Sequence, residues 1–225
     1  MLNDYIMNKT TVFGGWAVSP EVLKNIFGND ADYVDVNRVM PKLFDGSRQL
    51  RDDWVDIVIS ECQLTGGNAP EILAGWSTGA MFAYAAARVC HPRKLILLSA
   101  TPCFCRKDDF KFGARPSVID RMLCALTQDK NAVLRSFYER CGLEYDIAAI
   151  PDYTIGELSC GLAFLRQADL RPLAPLPIKP VFYHGQNDEI IPISASIYFS
   201  ERTNGKHIAV SGGHLLPCFT LVKAK

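Results

Sequence analysis

The chain has 225 residues, with 24 lysines and arginines against 24 aspartates and glutamates, and 48% of it is hydrophobic. That length suits one domain with a full core and room for an inserted subdomain. The balanced charge excludes a global basic field for nucleic acid and leaves only local patches for an electrostatic partner.

From the N-terminus, MLNDYIMNKTTVF lacks the basic start and apolar core of a secretory signal. No apolar run reaches the roughly 18 residues of a membrane span, so the expectation is a soluble, cytoplasmic chain. Thr10–Phe13 reads as a strand ending in Gly14-Gly15-Trp16. Ser19-Pro20 reads as a helix start, with Gly28 as its stop. Tyr33–Val36 is the next strand, and residues 47–63 place Leu50, Trp54, Ile57, Val58 and Cys62 at helical spacing. Ile72–Trp76 is a strand, residues 78–89 a small-residue helix that His91-Pro92 terminates, and residues 94–99 a strand apolar on both faces, as a central parallel strand is. Residues 103–171 then carry amphipathic helical patterns and no convincing strand. The alternation resumes with Pro180–His184 as a strand, Ser194–Glu201 as a helix and His207–Val210 as a strand. This order predicts an α/β fold with a mostly parallel central sheet. The core spans 1–102 and 172–225, with a helical insertion over 103–171 that returns through PLAPLPIKP.

The eight cysteines, at 62, 90, 103, 105, 124, 141, 160 and 218, include no C-x-x-C and no histidine-rich partner segment. They read mostly as small buried hydrophobes, with no metal site and no cofactor implied. Cys218, close to His214 in sequence, is a weak candidate for a role beside it.

Gly75-Trp76-Ser77-Thr78-Gly79 matches G-x-S-x-G. With glycine near 7% of residues, a chain of this length carries that pattern by chance about once in fifteen cases, so its surroundings decide. EILAGW precedes Ser77 and a helix follows it, the strand–turn–helix setting in which a serine is held as a nucleophile. Such a serine needs a base, and the base an orienting carboxylate, in the chain order Ser, Asp, His. Asp188 follows the strand in PVFYHGQND, and His214 lies just beyond the last strand in SGGHLLP. Alternatives stand beside them. Asp188 also suits a simple Asx-turn, with Asp169 a weaker substitute acid, and His184 reads as supporting or structural rather than as a base. His91 reads as a helix terminator and His207 as a strand-edge residue. An oxyanion hole needs two converging N–H donors; the candidates are the amides of Thr78 and, from the FGGW loop, Trp16.

These residues resemble the α/β-hydrolase superfamily, and more narrowly the pimeloyl-[acyl-carrier protein] methyl ester esterases of biotin synthesis. GGWAVSPEV is similar to their oxyanion segment, GWSTGAMFA to their nucleophile elbow, SATPCFCRKDDF to the strand exit into their lid, and LSCGLAFLRQADLRPL to the lid's return. The chain departs from that pattern at Gly14, where relatives usually carry histidine. With 13 residues before Gly14 and 11 after His214, the expected α/β-hydrolase fold is trimmed at both termini.

The resemblance implies hydrolysis of a methyl ester on an acyl chain borne by acyl carrier protein, with Ser77 attacking, His214 as base and Asp188 orienting it. Carrier proteins of that kind are strongly acidic, so the docking surface is expected to be locally basic. Residues 106–140 hold eight lysines and arginines against five acids. Phe137, on the apolar face of a helix with Val133, Leu134 and Cys141, is a candidate wall of the acyl channel. Arg121, Lys130, Arg135 and Arg140 are candidates for meeting the carrier. A general carboxylesterase or acyl thioesterase uses the same three residues, and a non-catalytic ligand receptor of this fold is a further alternative.

Overall fold

A computed structural model describes residues 9–145 and 151–217; Cys218 and both chain ends lie outside the described residues. Six strands, β1 (Thr10–Phe13), β2 (Asp32–Val34), β3 (Ile72–Trp76), β4 (Lys94–Leu98), β5 (Val181–Gly185) and β6 (Lys206–Val210), form one sheet in the order β2-β1-β3-β4-β5-β6. Every pairing between these strands is parallel. Parallel strands need covered faces, which is why β3 and β4 read as continuous apolar runs. Leu73, Leu95, Leu97 and Phe182 point into one core cluster, with α3 (Trp54–Glu61), α4 (Thr78–Cys90) and α8 (Ile193–Arg202) packed into it. Ala74, Trp76, Ile96, Leu98 and Tyr183 point the other way and pack with Val18, Leu23 and Leu216.

The strand order reverses between β1 and β3: the chain leaves β1 for β2 on one side and later sets β3 on the other. Ligand crevices of open α/β sheets form at such a point, beyond the carboxyl ends of the strands. Two loops meet there, Gly14–Ala17 after β1 and Ser77 after β3.

A short 3-10 turn (Pro20–Leu23) leads into α1 (Lys24–Phe27); Ser19 Oγ caps the turn by accepting from Glu21 N–H, and Gly28 ends α1 at φ 85°. Helix α2 (Val36–Val39) follows β2 directly, with Asp35 as its N-cap, and runs into a 3-10 turn at Met40–Leu43. Val36 is thus the first residue of a helix, not the last of a strand. The helical spacing over 47–63 is realised only from Trp54 onward. Upstream, Asp45 Oδ1 accepts from the Ser47 and Gln49 N–H groups and from the Ser47 hydroxyl. This local competition turns the chain before a helix can start.

Between β4 and β5 lie α5 (Pro116–Gln128), α6 (Lys130–Cys141) and α7 (Ile155–Gln167). The chain leaves and re-enters the sheet at one place: Leu170 N–H bonds the Pro102 carbonyl at 2.8 Å, and Cys103 bridges Asp169. Among the described cysteines, Cys103, Cys105 and Cys141 are buried, Cys62, Cys90 and Cys160 half-buried and Cys124 exposed, all as free thiols.

Candidate active site

The turn after β3 is made by necessity rather than preference. Ser77 sits at φ 56°, ψ −121°, a conformation that costs a non-glycine residue of order 1–3 kcal/mol. A methyl group on Gly75 would overlap the Gly79 carbonyl, and one on Gly79 would overlap the Phe13 and Gly14 carbonyls. Both glycines let strand, turn and helix close on each other. The Ser77 N–H is fixed on the Leu98 carbonyl at 2.9 Å, and Ser77 stands before the first turn of α4, where the free N–H groups of a helix favour negative charge.

His214 Nε2 accepts from the Ser77 hydroxyl at 2.9 Å, and its Nδ1–H donates to Asp188 Oδ2 at 2.8 Å. The structure therefore brings Ser77, His214 and Asp188 into one hydrogen-bonded line, with His214 fully buried and Ser77 5% exposed. The loops carrying the acid and the imidazole touch: Asn187 N–H bonds the Gly212 carbonyl at 2.9 Å, and a methyl on Gly185 would overlap the Gly213 carbonyl. Backbone N–H groups of Ile190 and Ile191 hold Asp188 Oδ1 at 2.8 and 2.9 Å. His184 Nε2 lies 3.2 Å from Asp188 Oδ2 and 2.8 Å from the Ile191 carbonyl, so its single N–H is shared between them. Burial pushes the Asp188 carboxyl up, but the hydrogen bonds from His184, His214 and Ile191 outweigh it and hold it well below the usual carboxylate range.

Two further side chains pin the imidazole's backbone. The Trp76 indole N–H and the Ser99 hydroxyl both donate to the His214 carbonyl, at 2.9 and 2.7 Å. Their partners are distant in sequence, and no local pattern marks either residue. His91, by contrast, is the left-handed C-cap of α4 (φ 48°), and His207 stacks on His184 at 6.5 Å; burial and the neighbouring His184 hold the His207 pKa down. Asp169 is engaged elsewhere, in a salt bridge with Arg171.

The Gly14–Ala17 loop passes beside Ser77. A methyl on Gly15 would come within 3.4 Å of the Ser77 Cβ. Trp16 and Thr78 both line a cavity of about 670 Å³ with Ser77 on its wall, within the range of small-molecule sites. Its apolar lining includes Phe104, Ile119, Met122, Val133, Phe137 and Leu162, and Phe137 stands edge-on to Trp16 at 4.8 Å. Arg106, Arg121, Arg140 and Glu189 are its charged lining residues. Lys130 and Arg135 are not among them. Lys130 bonds the Tyr153 carbonyl and pairs with Asp152, and Arg135 lies over the Tyr145 ring. Among the described residues, no group of three or more His, Cys, Asp or Glu side chains is placed to hold a metal ion. No helix among them is long and apolar enough to cross a membrane.

This architecture is the α/β-hydrolase fold. An esterase from Exiguobacterium antarcticum superposes with a TM-score of 0.70 at 19% identity, covering 96% of this chain and 88% of that one. By sequence, the chain is similar to pimeloyl-[acyl-carrier protein] methyl ester esterases. That of Xylella fastidiosa (strain M23) is 27% identical over 171 residues, 68% of this chain and 67% of the relative. That of Xanthomonas axonopodis pv. citri (strain 306) is 26% identical over 220 residues, 89% of this chain and 85% of the relative. No family model matches. Fold and relatives together support an ester hydrolase.

Proposed function

We propose that the chain is a serine esterase that hydrolyses the methyl ester of pimeloyl-acyl carrier protein in biotin precursor synthesis. The observation that carries the esterase part is the line from Asp188 through His214 to Ser77, with links of 2.8 and 2.9 Å, ending at the wall of an apolar cavity. Asp188 holds the tautomer with the proton on Nδ1, so Nε2 is free to take the Ser77 proton as the oxygen attacks the ester carbonyl. The carbonyl oxygen, now negative, is met by the Trp16 and Thr78 amides. His214 returns the proton to the departing methoxide, and methanol leaves. Water then attacks the acyl-enzyme, giving its proton to His214, and the free acid is released with Ser77 restored.

The carrier-protein part rests on the named relatives and on charge at the cavity. Segment 103–171 is read as a lid, with Phe137 as an acyl-channel wall. Arg121 and Arg140 line the cavity, which supports a role in meeting an acidic carrier, and Arg106 joins them. Lys130 and Arg135 are occupied within the insertion and are weaker docking candidates.

The test is turnover of pimeloyl-carrier-protein methyl ester beside a short aryl ester, with wild type and Ser77→Ala. Conversion of the carrier substrate by wild type, lost in Ser77→Ala, is the expected result. Turnover confined to the aryl ester, still dependent on Ser77, keeps the esterase and removes the carrier-protein assignment in favour of a general carboxylesterase.

A further inference from the structure

One fully buried polar side chain stands against the Gly14–Ala17 loop without belonging to the Ser77–His214–Asp188 line. Asn37, in α2, is 0% exposed. Its Oδ1 accepts from the Ala17 N–H at 2.8 Å, and its Nδ2 donates to the Gly15 carbonyl at 3.2 Å and to Asp35 Oδ1 at 2.9 Å. A backbone N–H can only donate, so the Ala17 contact fixes which end of the amide is oxygen. Asp35 also accepts the Asn37 backbone N–H at 3.0 Å and, on its other oxygen, the Tyr153 hydroxyl at 2.8 Å.

The Gly15 carbonyl and the Trp16 N–H are opposite ends of one peptide unit. In a trans peptide the two point in opposite directions, and no cis bond occurs among the described residues. Holding the carbonyl on Asn37 therefore aims the Trp16 N–H away from Asn37. A half-turn of that peptide would exchange the donor for a carbonyl oxygen, which repels an oxyanion. The residue on the far side needs holding as well. Ala17 sits at φ 59°, a left-handed conformation unfavourable for alanine. Asn37 Oδ1 grips its N–H, and the Tyr138 hydroxyl donates to its carbonyl at 3.0 Å.

We propose that Asn37 is a positioning residue that sets the orientation of the Gly15–Trp16 peptide, and through it the Trp16 amide that stabilises the oxyanion. This rests on the serine esterase reading above. Asn37→Asp tests it, because an acid in that place still offers an oxygen to Ala17 N–H but has at most one O–H, and so cannot hold the Gly15 carbonyl and Asp35 together as the two N–H bonds of the amide do. With p-nitrophenyl butyrate and the full chain, kcat is expected to fall by at least about tenfold, towards the roughly 10²–10³-fold of a deleted oxyanion donor. KM stays within about twofold, and affinity for a trifluoromethyl ketone falls with kcat. Asn37→Ala carries the same expectation should Asn37→Asp fail to fold. Tyr153→Phe removes a hydroxyl that bonds Asp35 and also reaches the Asn37 side chain, but leaves both Asn37 bonds to the Gly15–Ala17 loop in place; it is the structural control, expected to lower Tm and keep kcat.

Asn37 variants that are folded and turn over at the wild-type rate overturn the proposal, as does an equal loss of kcat in Tyr153→Phe. Ser77→Ala separates this from the parent reading. If it is inactive while the Asn37 variants are fully active, only the Asn37 role falls. If it stays active, the esterase mechanism falls and the inference with it.

Discussion

Asp188 accepts hydrogen bonds from two backbone amides and two histidines, with its side chain fully buried. A carboxyl held below its unfolded pKa stabilises the fold above that unfolded value, near 4, and the contribution is lost as pH falls through the folded value. In urea titrations between pH 7 and 3, the stability gap between wild type and Asp188→Asn is therefore expected to be widest near neutrality and to narrow below about pH 4. A gap that widens towards acid overturns this account. The same substitution has a separate effect on rate. An amide donates its N–H to His214 Nδ1 and forces the proton onto Nε2, where it opposes acceptance from Ser77. On the proposed mechanism kcat falls on the order of 10⁴-fold, with less change in KM.

At the level of elements, helix α4 shows how the chain ends a helix without glycine. His91 caps it in the left-handed region at φ 48°, ψ 53°, with its N–H on the Ala87 carbonyl. The imidazole is exposed, so its Cβ strain has no compensating burial. His91→Gly relieves that strain and is expected to raise unfolding free energy by about 0.5–1 kcal/mol, read as an increased urea midpoint at unchanged m-value. The strands were legible from sequence because a covered parallel sheet demands short apolar runs; five lie within one residue of their expected bounds, and β2 ends two residues early. Helix α2 was not, since four residues give no period to detect and the Asp35 cap and burial of Val36 and Asn37 hold them. The meeting of Ser77, Asp188 and His214 was legible because each follows a strand whose carboxyl end lies at the same edge. What supports them was hidden: Trp76 and Ser99 reach His214 across 138 and 115 residues, and Asn37 reaches Ala17 across 20. Such contacts depend on where the folded chain brings loops together, and no spacing encodes them.

For the whole molecule, a net charge of zero means that no long-range field draws an acidic partner, and attraction has to come from a local group. Arg106, Arg121 and Arg140 are exposed residues that also line the cavity beside Ser77. If they meet an acidic carrier, their attraction is screened by salt, because the Debye length shrinks from about 10 Å at 0.1 M to about 3 Å at 1 M. A small uncharged ester has no such dependence. Raising salt from 50 to 500 mM is thus expected to lower kcat/KM for the carrier-borne methyl ester several-fold and to leave p-nitrophenyl butyrate turnover unchanged. The three arginines are not equivalent probes. Arg140 donates to the Glu189 carbonyl beside Asp188, and Arg106 to the Gly113 carbonyl, so replacing either disturbs a loop as well as a charge. Arg121 projects from α5 without an ion pair among the described residues, which makes Arg121→Glu the cleaner test. It is expected to lower carrier-substrate kcat/KM at 50 mM salt, to flatten its salt dependence, and to leave aryl ester hydrolysis intact. Equal salt sensitivity of both substrates would locate the effect in the fold or the chemistry rather than in docking, and would remove the arginines from the proposed carrier interface.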